Sequence, residues 1–178
     1  VRSTRRTAPL LTYLQIEPTG RCNLRCRGCM RTSLPEDSIS GDMPIELYQK
    51  ILAEIPRTVS VVKLQGLGEP TLHREFREMT VKARRTGASV HLTTNGMTLT
   101  DAAIRRAITD NIAVLTVSLD ALDTETASRL RRGSNLERIQ RGIAQLCAER
   151  TSQFTPSVGI NFTVSTENLY EIDALGSF

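Results

Sequence analysis

The sequence predicts an α/β fold in which a parallel sheet carries helices on its outside. Five short runs rich in apolar and β-branched residues each lead into an amphipathic segment, so strand and helix alternate along the chain. The runs read as nearly continuous apolar stretches, as strands buried on both faces do. Every unusual polar cluster falls just after the end of a run, at the edge of such sheets where active sites collect.

The first strand is "LLTYLQIE", Leu10 to Glu17, and it leads into a loop with Cys22, Cys26 and Cys29. A looser loop follows to about Gly41. Pro44 then opens a helix, because its fixed φ suits the first turn. Leu47, Ile51, Leu52 and Ile55 form that helix's apolar face. The second strand, "VSVVKLQ" from Val59 to Gln65, ends in the turn "GLGEP". Phe76, Met79 and Ala83 mark the next helix, which Gly87 closes. The third strand, Ala88 to Thr94, ends in "NG", and a helix capped around Thr100–Asp101 places Ile104 and Ile108 together. The fourth strand runs from Ile112 to Asp120, and its helix carries Leu136, Ile139, Ile143 and Leu146. The fifth runs from Ser157 to Val164, with a fifth helix opening in "STENLYEIDAL".

A chain of 178 residues has the length of one domain, and 24% charged against 39% apolar residues is a globular balance. Lys and Arg outnumber Asp and Glu by 23 to 19, which permits an anionic partner without arguing for one. The basic residues are scattered: Arg2, Arg5 and Arg6, then Arg84 and Arg85, then Arg129, Arg131 and Arg132. Four Phe, three Tyr and no Trp leave few platforms for base stacking, which argues against a nucleic-acid partner. No apolar run approaches the ~20 residues that cross a bilayer. The four cysteines, at spacings of four, three and 118, do not form a secreted disulfide pattern. A reducing, cytoplasmic setting and a metal or cluster are the expectation.

Three thiolates that close can reach one centre from one loop. Structural zinc takes four protein ligands, and the remaining candidates sit elsewhere. Cys147 falls in the fourth helix beside Leu146 as a half-buried residue, His91 lies inside a strand, and His73 starts a helix. An iron–sulfur cube on three thiolates leaves one iron open to a small molecule. Arginines threaded among the cysteines are expected to favour a net-negative cluster and to depress the thiol pKa values. Gly66 and Gly68 can take backbone angles closed to other residues and let a ligand reach the main chain. Glu69 adds a carboxylate acceptor, and Pro70 stiffens the exit from the turn. Ser118 and Asp120 share a face at a strand end, or Asp120 caps the following helix.

The order Cys22-x3-Cys26-x2-Cys29, "GLGEP", "TNG" at Thr94–Gly96 and "SLDA" at Ser118–Ala121 resembles the radical S-adenosylmethionine (radical SAM) superfamily. In tone it is similar to the branch with molybdenum-cofactor-type and SPASM-containing enzymes, many of which modify peptides. The resemblance implies a partial (β/α) barrel of six parallel strands, of which five βα units are present. It implies that Cys22, Cys26 and Cys29 ligate a [4Fe-4S] cluster and that the fourth iron chelates S-adenosylmethionine. Reductive cleavage would then yield a 5′-deoxyadenosyl radical that takes hydrogen from a substrate. Carbonyls of Gly66 and Gly68, with Glu69 and Pro70, would meet the methionyl ammonium group, and Ser118 or Asp120 the ribose or carboxylate. Leu24 would shield the cluster. Thr94 and Asn95 line the site or form an ordinary turn. Asn161 and Thr163 face adenine or substrate, or are polar residues of the sheet. Arg129 and Arg131 meet the carboxylate or point to solvent.

The same resemblance implies an electron donor such as flavodoxin or ferredoxin and admits a peptide substrate. Residues 1–9 are read as an extension and 10–178 as the core, truncated at its C-terminus. A missing sixth strand leaves a sheet edge for a C-terminal domain or partner to cover. The alternative readings are a non-catalytic iron–sulfur or zinc module, or a fragment that needs a further domain for activity.

Overall fold

The computed structural model describes residues 10–149 and 156–177. The extension expected over 1–9, with Arg2, Arg5 and Arg6, lies outside them. Strands β1 (Tyr13–Ile16), β2 (Val61–Leu64), β3 (Ser89–Thr94), β4 (Val114–Ser118) and β5 (Ser157–Asn161) form one all-parallel sheet in sequence order. Helices α1 (Ile45–Glu54), α2 (Phe76–Arg85) and α3 (Ala102–Asn111) each cross between neighbouring strands, and α4 (Thr124–Leu130) and α5 (Leu136–Ala148) share the last crossover. When each strand is laid beside the one before it with crossovers of one hand, all the helices fall on one face of the sheet. The result is a partial (β/α) barrel.

The core lies between sheet and helices. Val62, Leu64, Val90, Leu92, Leu115 and Val117 meet Tyr48, Phe76, Met79, Ile108, Ile139 and Leu146, all 2% exposed or less. Burying such a side chain is worth about 1.5–3 kcal/mol each. The strands do not read as buried on both faces. In β2, β3 and β4, buried residues alternate with half-buried ones. Lys63, His91, Thr93 and Thr116 share the second face with Val61 and Val114, so that face is largely polar and, among the described residues, not covered by helices.

Ile51, Leu52 and Ile55 pack against the core as expected, and Leu47 alone of that predicted face does not. Ile45 and Tyr48 are the buried residues of α1, whereas Leu47 is 47% exposed. Tyr48 belongs inside because its hydroxyl donates to the Met79 carbonyl at 3.1 Å. Gly87 closes α2 with φ at 84°, a conformation glycine adopts without a Cβ penalty. Asp101 caps α3 by accepting from the Ala103 and Ile104 amides.

Three local elements depart from the sequence reading. Helix α4 was not expected; Asp123 caps it by accepting from Thr126 N at 2.8 Å. The fifth helix is a 3-10 segment, Leu169–Ser177. Arg25–Cys26 pairs antiparallel with Arg131–Arg132 in a two-residue ladder outside the main sheet. Strand β5 also stops short of Val164, because the Thr163 amide donates to the Asp120 side chain. On α5, Cys147 is exposed rather than half-buried.

Candidate functional site

A cavity of about 350 Å³ opens over the C-terminal ends of the strands. Cys22, Cys26, Cys29 and Leu24 line one side, and the turn Gly66–Glu69 and Thr94–Asn95 line another. Ser118, Asp120 and Asn161 lie on its wall, with Thr163 and Arg131. The topology thus gathers segments more than 130 residues apart in sequence. Of the expected site residues, Pro70 and Arg129 stay out of the lining; Pro70 is buried at the start of a 3-10 turn, Pro70–Leu72. His73 and Cys147 are not brought in either. His73 is buried, with Nε2 3.0 Å from the Met43 carbonyl oxygen.

The cysteine loop is held from several directions. Thr19 Oγ1 donates to Asp42 at 2.6 Å, and Arg21 reaches both Asp42 oxygens at 2.9 and 2.8 Å. Burial opposes ionisation of Asp42, but these hydrogen bonds and the Arg21 charge together hold its pKa at about 2. Arg31 Nε donates to the Gly20 carbonyl at 2.8 Å, and Arg27 N donates to Leu130 O at 2.9 Å. Asn95 joins the loop to the end of β3, its Nδ2 2.7 Å from Asn23 Oδ1 and 3.8 Å from Cys22 Sγ.

The thiols depart from one expectation. Burial is the largest influence on Cys22 and Cys26 and pushes both pKa values up, not down. Arg31 near Cys22 and Arg131 near Cys26 act in the opposite sense, more weakly. Among the described residues no three His, Cys, Asp or Glu side chains converge as a site for one metal ion. The three thiols share one side of the cavity. Gly28 beside them has open space where a Cβ would stand.

The glycine turn is braced by two carboxylates. Glu69 is 2% exposed. Its Oε1 accepts from Thr71 N and Oγ1 and from Thr94 Oγ1, and its Oε2 accepts from Asn95 N at 2.6 Å. Glu69 therefore ties the turn to β3 before it meets any ligand, and burial raises its pKa. Glu17, at the end of the first strand, accepts from Leu67 N and Gly68 N. Neither Gly66 nor Gly68 has a positive φ. Glycine is required here for close approach: a Cβ at Gly68 would overlap the Thr19 carbonyl oxygen.

At the end of β4, Asp120 takes a left-handed backbone, φ 60°, unusual for a residue other than glycine. It does not cap the helix. Asp120 Oδ2 pairs with Arg131 at 2.6 Å, with the two side chains only 16% and 6% exposed. Arg131 is thus a buried partner of the site, while Arg129 remains half-exposed and pairs with Glu167. Asn168 Nδ2 donates to the Asp120 and Thr163 carbonyls, and Glu171 accepts from the amides of Leu122 and Asp123. Sequence reasoning misses these last two residues and Glu17. Glu17 carries a usable signal, since it is the polar residue on which the first strand ends.

This is the site of a ligand-binding α/β half-barrel: thiols, a carbonyl-bearing turn and polar strand ends face one another across a small cavity. The chain belongs to the radical SAM superfamily, whose profile matches residues 16–172. It is 28% identical over 174 residues to the tungsten-containing aldehyde ferredoxin oxidoreductase cofactor-modifying protein of Pyrococcus furiosus, covering 94% of this chain and 48% of that one. It is 34% identical over 140 residues to the GTP 3′,8-cyclase of Synechocystis, covering 73% and 40% respectively. The chain thus spans less than half the length of these relatives. Among solved structures, Streptococcus suis SuiB bound to S-adenosylmethionine superposes with a TM-score of 0.72 at 19% identity, covering 92% of this chain and 37% of that one. SuiB has also been solved bound to its precursor peptide SuiA.

Proposed function

We propose that residues 10–178 form the core of a radical SAM enzyme, with 1–9 an extension. Cys22, Cys26 and Cys29 would hold three irons of a [4Fe-4S] cluster, and S-adenosylmethionine would lie between the cluster and the glycine turn. The observation that carries this reading is that three thiols and the turn share one cavity. When bound, the cluster and S-adenosylmethionine supply reductive cleavage to methionine and a 5′-deoxyadenosyl radical, which takes hydrogen from a substrate.

The chain's own residues hold, orient and shield. Leu24, 2% exposed, keeps water from the thiol loop. Raised thiol pKa values at Cys22 and Cys26 mean that these two give up protons as metal binds, which couples loading to pH. The turn offers acceptors to the methionyl ammonium group, while Ser118 and Asn161 offer hydrogen bonds to the rest of the ligand. Asp120 and Arg131 neutralise one another beside Cys26, so the wall carries a fixed dipole without a net charge. The electron for a reductive cleavage comes from outside, from a donor of flavodoxin or ferredoxin type. A peptide is the substrate class we propose, in line with the ligand of SuiB. The uncovered edge at β5 is the place for a C-terminal domain or partner.

Anaerobic reconstitution with iron and sulfide tests the reading. The expected result is about four irons per chain, with an electron paramagnetic resonance signal that changes on adding S-adenosylmethionine. Cys26→Ala loses the cluster, and Cys147→Ala keeps it. A stable iron-free protein holding one zinc would overturn the assignment.

A further inference from the structure

We propose that Glu17 is a positioning residue that turns the carbonyls of Gly66 and Leu67 towards the cavity, where the proposed function puts the methionyl ammonium group. The ligand half of this inference rests on the functional reading above, because the ammonium in question is that of S-adenosylmethionine. Glu17 Oε1 accepts from Leu67 N at 2.5 Å and from Gly68 N at 3.0 Å. A trans peptide is planar, so its C=O points opposite to its N–H. The carbonyl joined to the Leu67 amide is that of Gly66, and the one joined to the Gly68 amide is that of Leu67. Both therefore point away from Glu17.

Glu17 does not line the cavity, whereas Gly66, Leu67 and Gly68 do. The carboxylate thus acts from behind. It draws the turn's donors to itself and leaves acceptors for the ligand. The next amide is engaged as well, since Glu69 N donates to Arg21 O at 2.7 Å. A turn with its amides at Leu67, Gly68 and Glu69 engaged disfavours an anion and suits a cation. Gly66 completes the device: a Cβ there would overlap the Glu17 carboxyl carbon, so only glycine lets the side chain reach the two amides.

The test uses the reconstituted protein and S-adenosylmethionine itself, with equilibrium dialysis for affinity and hydrogen–deuterium exchange for the segment 64–70. Glu17→Ala weakens binding about tenfold, the worth of a hydrogen-bonded charged group, and speeds exchange in the segment at unchanged iron content. Glu17→Gln keeps an acceptor oxygen and stays within about threefold of wild type. Gly66→Ala displaces the carboxylate and weakens binding to the same degree, and adding Glu17→Ala to it causes no further loss. Full affinity in Glu17→Ala, a Gln variant as weak as Ala, or additive losses in the double variant would each overturn the proposal. If the wild-type protein binds no S-adenosylmethionine, the functional reading fails and the ammonium receptor with it. Exchange at the turn then judges the brace alone, and an unchanged rate in Glu17→Ala removes that too.

Discussion

Replacing Gly68 with alanine is expected to damage the site from behind, through the backbone of the cysteine loop. The added Cβ would overlap the Thr19 carbonyl oxygen and stand 2.8 Å from that of Arg21. Both are main-chain atoms, so no side chain can swing aside. Overpacking of this kind costs about 1–3 kcal/mol. Moving the loop also opens the 2.7 Å bond from Glu69 N to Arg21 O, and a donor left unpaired costs about 1–3 kcal/mol more. A central sum of about 4 kcal/mol corresponds to a fall of roughly 8–16 °C in Tm for a domain of this size. Thermal unfolding by circular dichroism measures it, with Gly28→Ala as the control. Gly28 lies on the same loop, but a Cβ added there would meet nothing within 4 Å. Iron uptake on reconstitution should drop in Gly68→Ala, because Thr19 and Arg21 lead directly into Cys22. If Gly68→Ala melts with wild type, or if Gly28→Ala falls as far, the packing argument is wrong.

Three further outcomes are expected. The folded pKa of Asp42, about 2, lies below its ordinary value of 3.8, so its stabilisation is complete above about pH 4 and is lost as pH falls towards 2. With Arg21 44% exposed, screening reduces that contribution to about 1 kcal/mol; acid titration of Asp42→Asn against wild type reads it, and added salt should shrink it. Arg131→Met leaves Asp120 buried without its partner and costs about 3–5 kcal/mol, whereas Arg131→Met with Asp120→Asn recovers much of the loss; urea unfolding of the three proteins checks this. Arg105, with its side chain 8% exposed, joins Leu99 O, Gln145 and Glu149 across α3 and α5. Arg105→Ala should cost about 1–2 kcal/mol in calorimetry and leave iron content unaltered.

The repeating units and the edge that carries the site are legible because each rests on local pattern. β-Branched runs, caps at Asp101 and a glycine at 87 act within a few residues of themselves. The cysteines, the glycine turn, Ser118 and Asn161 can be placed together because parallel strands end on one side. What escapes depends on distant partners. Arg131 looks like one of several scattered basic residues, and only Asp120 and the ladder with Cys26 bring it inside. Glu69 looks like a ligand contact until Thr71, Thr94 and Asn95 are seen to occupy its oxygens. The direction of the thiol pKa values escapes for the same reason. Nearby arginines are visible in sequence; loss of water around the thiols is not.

The short ladder between Arg25–Cys26 and Arg131–Arg132 has a consequence for how the protein matures. Cys26 acquires its setting from residues made about a hundred positions later, and Arg27 is tied later still, to Glu167. A growing chain that has emitted its cysteines but not these partners has no finished seat for iron. The proposed cluster would therefore be delivered after synthesis of the core, to a shaped pocket instead of a loose run of thiols.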